Sequence, residues 1–264
     1  MTTIPRPGPL ARAVTPAPGS FPLSSAEVAR FHEEGYLGPF ALCTPQEMAE
    51  IRARIEREVL TTDGPSARTR LQARHLDHRL VYDLCTHPAI LDRMESLFGP
   101  DLILWASYFF AKEPGGKEIP WHQDFNYWPL EPVVNLSAWL SIDGADVENS
   151  CVQIIPGSHK DIVPHIKSRD GMAFGEEADP DQIDTSKAIN MELAPGEFFL
   201  FNERLLHHSE PNRSNRPRTG LAVRITIPLV KITHDIAPLF PGHYNIVARG
   251  NDHMGFNRLG EAPS

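Results

Sequence analysis

The sequence predicts a mainly β domain set behind N-terminal helices. Between residues 24 and 98 apolar side chains recur at helical spacing behind capping boxes, and from residue 101 they gather in short β-rich runs divided by Gly, Pro and Asn. A chain of 264 residues, 41% of them hydrophobic, can bury one sizeable core.

The first twenty residues carry five prolines and few large apolar side chains, so residues 1–22 are expected to form a flexible tail before a single domain over 23–264. Ser24 with Glu27 marks a helix start and Gly35 a stop, which predicts a helix over 25–34. Thr44, Pro45 and Glu47 open a second, whose Met48, Ile51, Ile55 and Val59 fall at spacings of 3, 4 and 4. After a polar stretch through residue 75, a third spans about 88–98, with Ile90, Leu91, Met94 and Leu97 on one side and Gly99-Pro100 as its stop. This helical part, about 24–98, is expected to buttress a β core over about 101–232. The runs DLILWASYFF, NLSAWLSI, SCVQIIPG, GEFFLF and LAVRITIPLV supply that core; several are apolar throughout and fit a sheet covered on both faces. Residues 160–192 are irregular and acidic, and a loop of that length is expected to act as a lid.

Composition narrows the function. Thirty-four acidic against 25 basic residues give a net charge of -9, which opposes attraction to a phosphate backbone, so nucleic acid is not expected as a partner. No apolar run is long enough to span a membrane and no secretory signal is visible, so a cytoplasmic protein is expected. Cys43, Cys85 and Cys151 stand too far apart to suggest a disulfide framework or a thiolate metal site, and read as buried thiols. The 12 histidines invite an explanation, imidazole being both a common metal ligand and a common general base.

The segment Pro120-Trp121-His122-Gln123-Asp124 provides one. An imidazole and a carboxylate two residues apart on a strand share a face. A histidine from a distant strand would complete two nitrogens and one carboxylate with three positions open, the donor set of non-haem Fe(II) oxygenases. Leu205-Leu206-His207-His208-Ser209 offers that histidine, and only one of the adjacent pair can face the metal. Arg218, eleven residues past His207, is the type of side chain that holds the distal carboxylate of 2-oxoglutarate, being always charged and bidentate.

From about Phe31 to Val230 the chain resembles the phytanoyl-CoA dioxygenase family of Fe(II)/2-oxoglutarate oxygenases, through WHQDFNYWP, NSCVQIIPGSHK and LLHHSEPNRSNRPR. The resemblance implies a double-stranded β-helix, a cupin-like jelly roll. It implies that His122, Asp124 and His207 hold iron, His207 being preferred because it leads the His-x-Ser, and that Arg218 binds 2-oxoglutarate. Further co-substrate contacts are implied from Trp139, Ser209, Tyr108 and Gln123. Decarboxylation to succinate and CO2 would drive hydroxylation by O2. Several segments are similar to syringomycin-type aliphatic halogenases, among them FHEEGYLGPF, RHLD and FFAKEPG, but those enzymes have a small residue where Asp124 stands. A carboxylate there implies a hydroxylase. Similarity to 2-aminoethylphosphonate dioxygenases makes a small polar metabolite the expected substrate, with Arg224 and Asn126 as candidate contacts. Two alternatives stand beside it: a substrate tethered to an acyl or peptidyl carrier protein, and a non-catalytic β-barrel binding module.

Overall fold

The computed structural model describes residues 20–264. The tail expected over residues 1–22 lies outside the described residues up to residue 19. At its end, Phe21 N–H donates to Asp92 at 2.8 Å and the Phe21 ring lies 5.3 Å from the Arg93 guanidinium, so this end is docked against the domain.

Among the described residues, four α-helices lie in the first hundred positions: α1 Ser25–Glu34, α2 Pro45–Arg54, α3 Arg79–Cys85 and α4 Pro88–Phe98. Both capping boxes form, with Ser24 and Thr44 each accepting from the N–H three residues on while Glu27 and Glu47 reach back. The second helix runs on through a π turn, Ile55–Val59, that keeps Ile55 and Val59 buried. Helix α3 has no counterpart in the sequence reading. His78 provides no side-chain cap, so the usual start signal is missing.

In chain order the strands are β1 Tyr36–Ala41, β2 Leu102–Lys112, β3 Ile119–His122, β4 Leu130–Glu131, β5 Leu136–Ser141, β6 Val152–Ile154, β7 His165–Lys167, β8 Glu176–Ala178, β9 Ile189–Met191, β10 Glu197–Asn202, β11 His207–Ser209, β12 Arg218–Thr226, β13 Lys231–Ile232 and β14 Ile246–Arg249. A six-stranded sheet runs β1-β10-β5-β12-β2-β14 and a four-stranded sheet runs β3-β11-β6-β9. All pairings within both are antiparallel. This is the mainly β jelly-roll architecture.

Alternation along β12 divides its side chains between two environments. Leu221, Val223 and Ile225 join Leu102, Leu104, Phe198 and Leu200 in a core closed by Met48, Ile55, Ile90 and Met94 from the helices. Each buried Leu or Ile contributes ~1.5–3 kcal/mol relative to exposure. Arg218, Ala222 and Arg224 line a cleft on the other side.

Three expectations need correction. The β core does not stop at residue 232, because β14 pairs with β2 from the C-terminal region. Strand β1, inside the stretch assigned to helices, pairs with β10. The irregular acidic stretch over 160–192 holds the β7–β8 hairpin, and β9 belongs to the four-stranded sheet. These strands are three to six residues long and lack clear alternation; HIK and EEA are largely polar, although Glu177 and Ala178 of β8 are buried.

Candidate active site

The strand ends bring a metal-ligand set together. His122 closes β3 and His207 opens β11; they are cross-strand partners with ring centroids 4.1 Å apart. Asp124 follows the end of β3, at the start of a 3-10 turn over Asp124–Asn126. Its Oδ1 lies 3.8 Å from His122 Nε2, so the same-face argument reaches the right pair although the chain has already turned. One donor atom from each of His122, Asp124 and His207 falls within 4.8 Å of the others.

Backbone carbonyls fix both rings. His122 Nδ1 bonds Pro120 O at 2.8 Å and His207 Nδ1 bonds Leu205 O at 2.9 Å, which leaves each Nε2 with a lone pair toward the shared space. Burial, with His207 beside it, holds His122 well below the usual histidine range, so it stays neutral as a ligand must. Two imidazoles and a carboxylate at this spacing can hold iron. His208 points to the other side of β11. Its ring stacks on Trp121 at 4.5 Å, its Nε2 donates to Gln153 Oε1 at 2.9 Å, and its Nδ1 lies 3.2 Å from Ile119 O.

The cleft beside this set has about 470 Å³ of empty space, its open mouth included, and Phe110, Val152, Phe199 and Phe201 make its walls largely apolar. In its lining Arg218 is buried, its Nε has no hydrogen-bond partner among the described residues, and its guanidinium carbon lies 5.3 Å from the Trp139 ring. Ser209 Oγ stands 3.5 Å from an Arg218 terminal nitrogen. Burial pushes Arg218 down to about 10, which leaves it charged at neutral pH. A buried cation with an unused N–H facing a cleft fits a carboxylate.

Of the remaining candidates, Arg224 lines the cleft, with one terminal nitrogen 3.8 Å from Asp124 Oδ2, its carbon 4.8 Å from the Trp128 ring, and Nε buried without a partner. Tyr108 is the cross-strand partner of Ala222 and packs on Phe110 at 4.7 Å. Gln123 does not reach the cleft. Its amide nitrogen donates to Asp161 O and Arg204 O and its oxygen accepts from Val163 N–H, so the suggested co-substrate contact gives way to bracing of the 160s segment. Asn126 is exposed and donates to Glu176 Oε2 at 2.8 Å, which ties the ligand turn to the hairpin.

Two residues escaped the sequence reading. Phe174, in the β7–β8 connection, roofs the cleft with its ring 4.9 Å from that of His122. Lys112 is buried behind Arg218 at the end of β2. The period-2 series Tyr108, Phe110, Lys112 was the available signal for the latter.

The model of the family described as phytanoyl-CoA dioxygenase (PhyH) matches residues 31–220. "Dioxygenase lolE1" of Epichloe uncinata is 31% identical over 144 residues, 54% of either chain, so the match spans about half the length of that relative. "Probable phytanoyl-CoA dioxygenase" of Caenorhabditis elegans is 27% identical over 232 residues, covering 75% of this chain and 74% of that protein. The solved structure of "CytC3 with Fe(II) and alpha-ketoglutarate" superposes with a TM-score of 0.73 at 25% identity, covering 93% of this chain and 96% of the other. Among the described residues, no helix is long and apolar enough to cross a membrane. A match over more than half of the chain, a jelly roll of the same kind and a ligand set that can hold iron together make the chain a member of the phytanoyl-CoA dioxygenase family, an Fe(II)- and 2-oxoglutarate-dependent dioxygenase.

Proposed function

We propose that this dioxygenase hydroxylates an unactivated C–H of a small, polar, anion-bearing metabolite of the amino acid or aminoalkylphosphonate type. The observation that carries the proposal is Arg224, a cleft-lining guanidinium beside Asp124 whose buried Nε has no hydrogen-bond partner among the described residues. Such a group is costly to leave unpaired and is matched by a carboxylate or phosphonate.

In this reading His122, Asp124 and His207 hold iron, Arg218 and Ser209 take the distal carboxylate of 2-oxoglutarate, and Trp139 packs against it. When bound, iron and 2-oxoglutarate supply O2 activation coupled to release of succinate and CO2. The chain supplies orientation and exclusion of water. Phe174 and the β7–β8 hairpin, tied to the ligand turn through Asn126 and Tyr127, serve as the lid. Three free thiols are consistent with a reducing, cytoplasmic setting.

A carrier-tethered substrate is the second reading, and it would need a basic docking surface for an acidic carrier. In the segment between β11 and β12, Arg216 pairs with Asp146 at 2.7 Å and Arg213 faces Glu210 at 3.7 Å. That favours a free substrate. The test is succinate formation screened across amino acids, aminophosphonates and carrier-bound acyl groups, with mass spectrometry of the products. Turnover confined to carrier-bound substrates would overturn the proposal.

A further inference from the structure

Lys112 and Arg218 are cross-strand partners at the ends of β2 and β12. Like charges directly opposite on paired strands destabilise a sheet, and both of these are buried. Among the described residues, Lys112 has no compensating carboxylate at hydrogen-bond distance. The four acceptors around its Nζ are neutral oxygens: Ser209 Oγ at 2.7 Å, Glu210 O at 2.7 Å, Ser150 Oγ at 3.0 Å and Ser209 O at 3.2 Å. Ser150 donates its own hydrogen to Glu210 O, which fixes it as an acceptor toward Lys112.

An ammonium only donates, so Ser209 Oγ must accept from Lys112. Arg218, also only a donor, approaches the same oxygen at 3.5 Å. With two cations on its lone pairs, the Ser209 hydroxyl is left to donate its hydrogen, and Ser209 lines the cleft. We infer that Lys112 is a positioning residue of the co-substrate site: it turns the Ser209 O–H toward the anion that Arg218 holds and adds a second buried positive charge behind it. The co-substrate carboxylate then relieves the repulsion between the two cations. This rests on the reading of Arg218 and Ser209 as the 2-oxoglutarate subsite.

The test separates this role from a general structural one. Protein loaded with Ni(II), which does not turn over, is titrated calorimetrically with 2-oxoglutarate and with 2-oxovalerate, which lacks the distal carboxylate. Lys112→Met and Ser209→Ala should each weaken 2-oxoglutarate binding by about tenfold or more, as expected for a hydrogen bond to a charged group, and leave 2-oxovalerate binding unchanged. The double variant should lose no more than the worse single one, because the two residues act through one hydrogen bond. Should Lys112→Met fold poorly, Lys112→Gln should show the same selective loss in smaller measure, since its amide still donates. Equal weakening of both ligands, or losses that multiply in the double variant, overturns the inference. Loss of 2-oxoglutarate binding in Arg218→Lys but not in the Lys112 variants sinks this inference alone, whereas retention in Arg218→Lys removes the subsite and the inference together.

Discussion

Gly220 lies so close beneath the Trp139 indole that a Cβ on it would stand 2.1 Å from Trp139 Cζ2 and 2.4 Å from Cε2. The indole flanks Arg218, so the missing side chain sets the position of the wall against which the guanidinium rests. Gly220→Ala should therefore displace Trp139, at an overpacking cost of about 1–3 kcal/mol in stability. It should weaken 2-oxoglutarate binding while metal affinity is kept, since no ligand is touched. Parallel titrations with metal and co-substrate check this, and unaltered co-substrate binding would count against a role for Trp139.

The metal set and its neighbour are separable. His207→Ala should abolish iron binding. His208→Ala should retain it and cost ~1–3 kcal/mol in stability, because the buried Gln153 Oε1 loses its donor. Iron content after desalting, with a thermal melt of each variant, reads both. Retention in His207→Ala with loss in His208→Ala would exchange the two assignments.

Arg218→Lys should bind iron normally and require at least about tenfold more 2-oxoglutarate, since a point ammonium cannot reproduce two parallel hydrogen bonds to one carboxylate. The dependence of succinate formation on 2-oxoglutarate concentration measures it. An unchanged requirement would take Arg218 out of the subsite.

Affinity for 2-oxoglutarate should fall as pH rises above neutrality. Burial, with Arg218 opposite, pushes Lys112 from 10.5 down to about 7, against the pull of Glu118 and Glu210. An unfolded chain takes up this proton near 10.5 and the folded one only near 7. The group therefore destabilises the ligand-free protein progressively as pH falls from about 10 to about 7, and fully below that. A bound anion favours the ammonium, so binding is strongest below about 7 and weakens above it, by at most about tenfold per pH unit for one proton. Calorimetry across this range should show the slope in the native protein and its absence in Lys112→Met.

The native protein should add oxygen and no halogen, even in saturating chloride. With His122, Asp124 and His207 as three donors, an iron held there would keep three positions for 2-oxoglutarate and O2 and none for halide. Asp124→Ala should lose iron, one of three protein donors being gone. Mass spectrometry of products formed in chloride buffer decides it; a chlorinated product would remove Asp124 from the ligand set.

Local chemistry in the sequence determined the starts of α1 and α2 and the residue types of the metal set. Ser24-Glu27 and Thr44-Glu47 satisfy their own helix ends, so α1 and α2 start where those pairs stand. His122 and Asp124 are two residues apart, and their meeting needs little beyond the chain's own geometry. What depends on partners distant in the chain was decided by the tertiary structure. Strands β1 and β14 are short and become strands because β10 and β2 offer open edges. His207 rather than His208 meets His122 and Asp124 because the register of β11 against β3 sets which side each takes, and a slip of one residue would exchange them. Gln123 was drawn away by Val163 and Asp161, some forty residues on. Lys112 gained its place only when β2 paired with β12 and set two like charges opposite each other, a juxtaposition that no local spacing encodes.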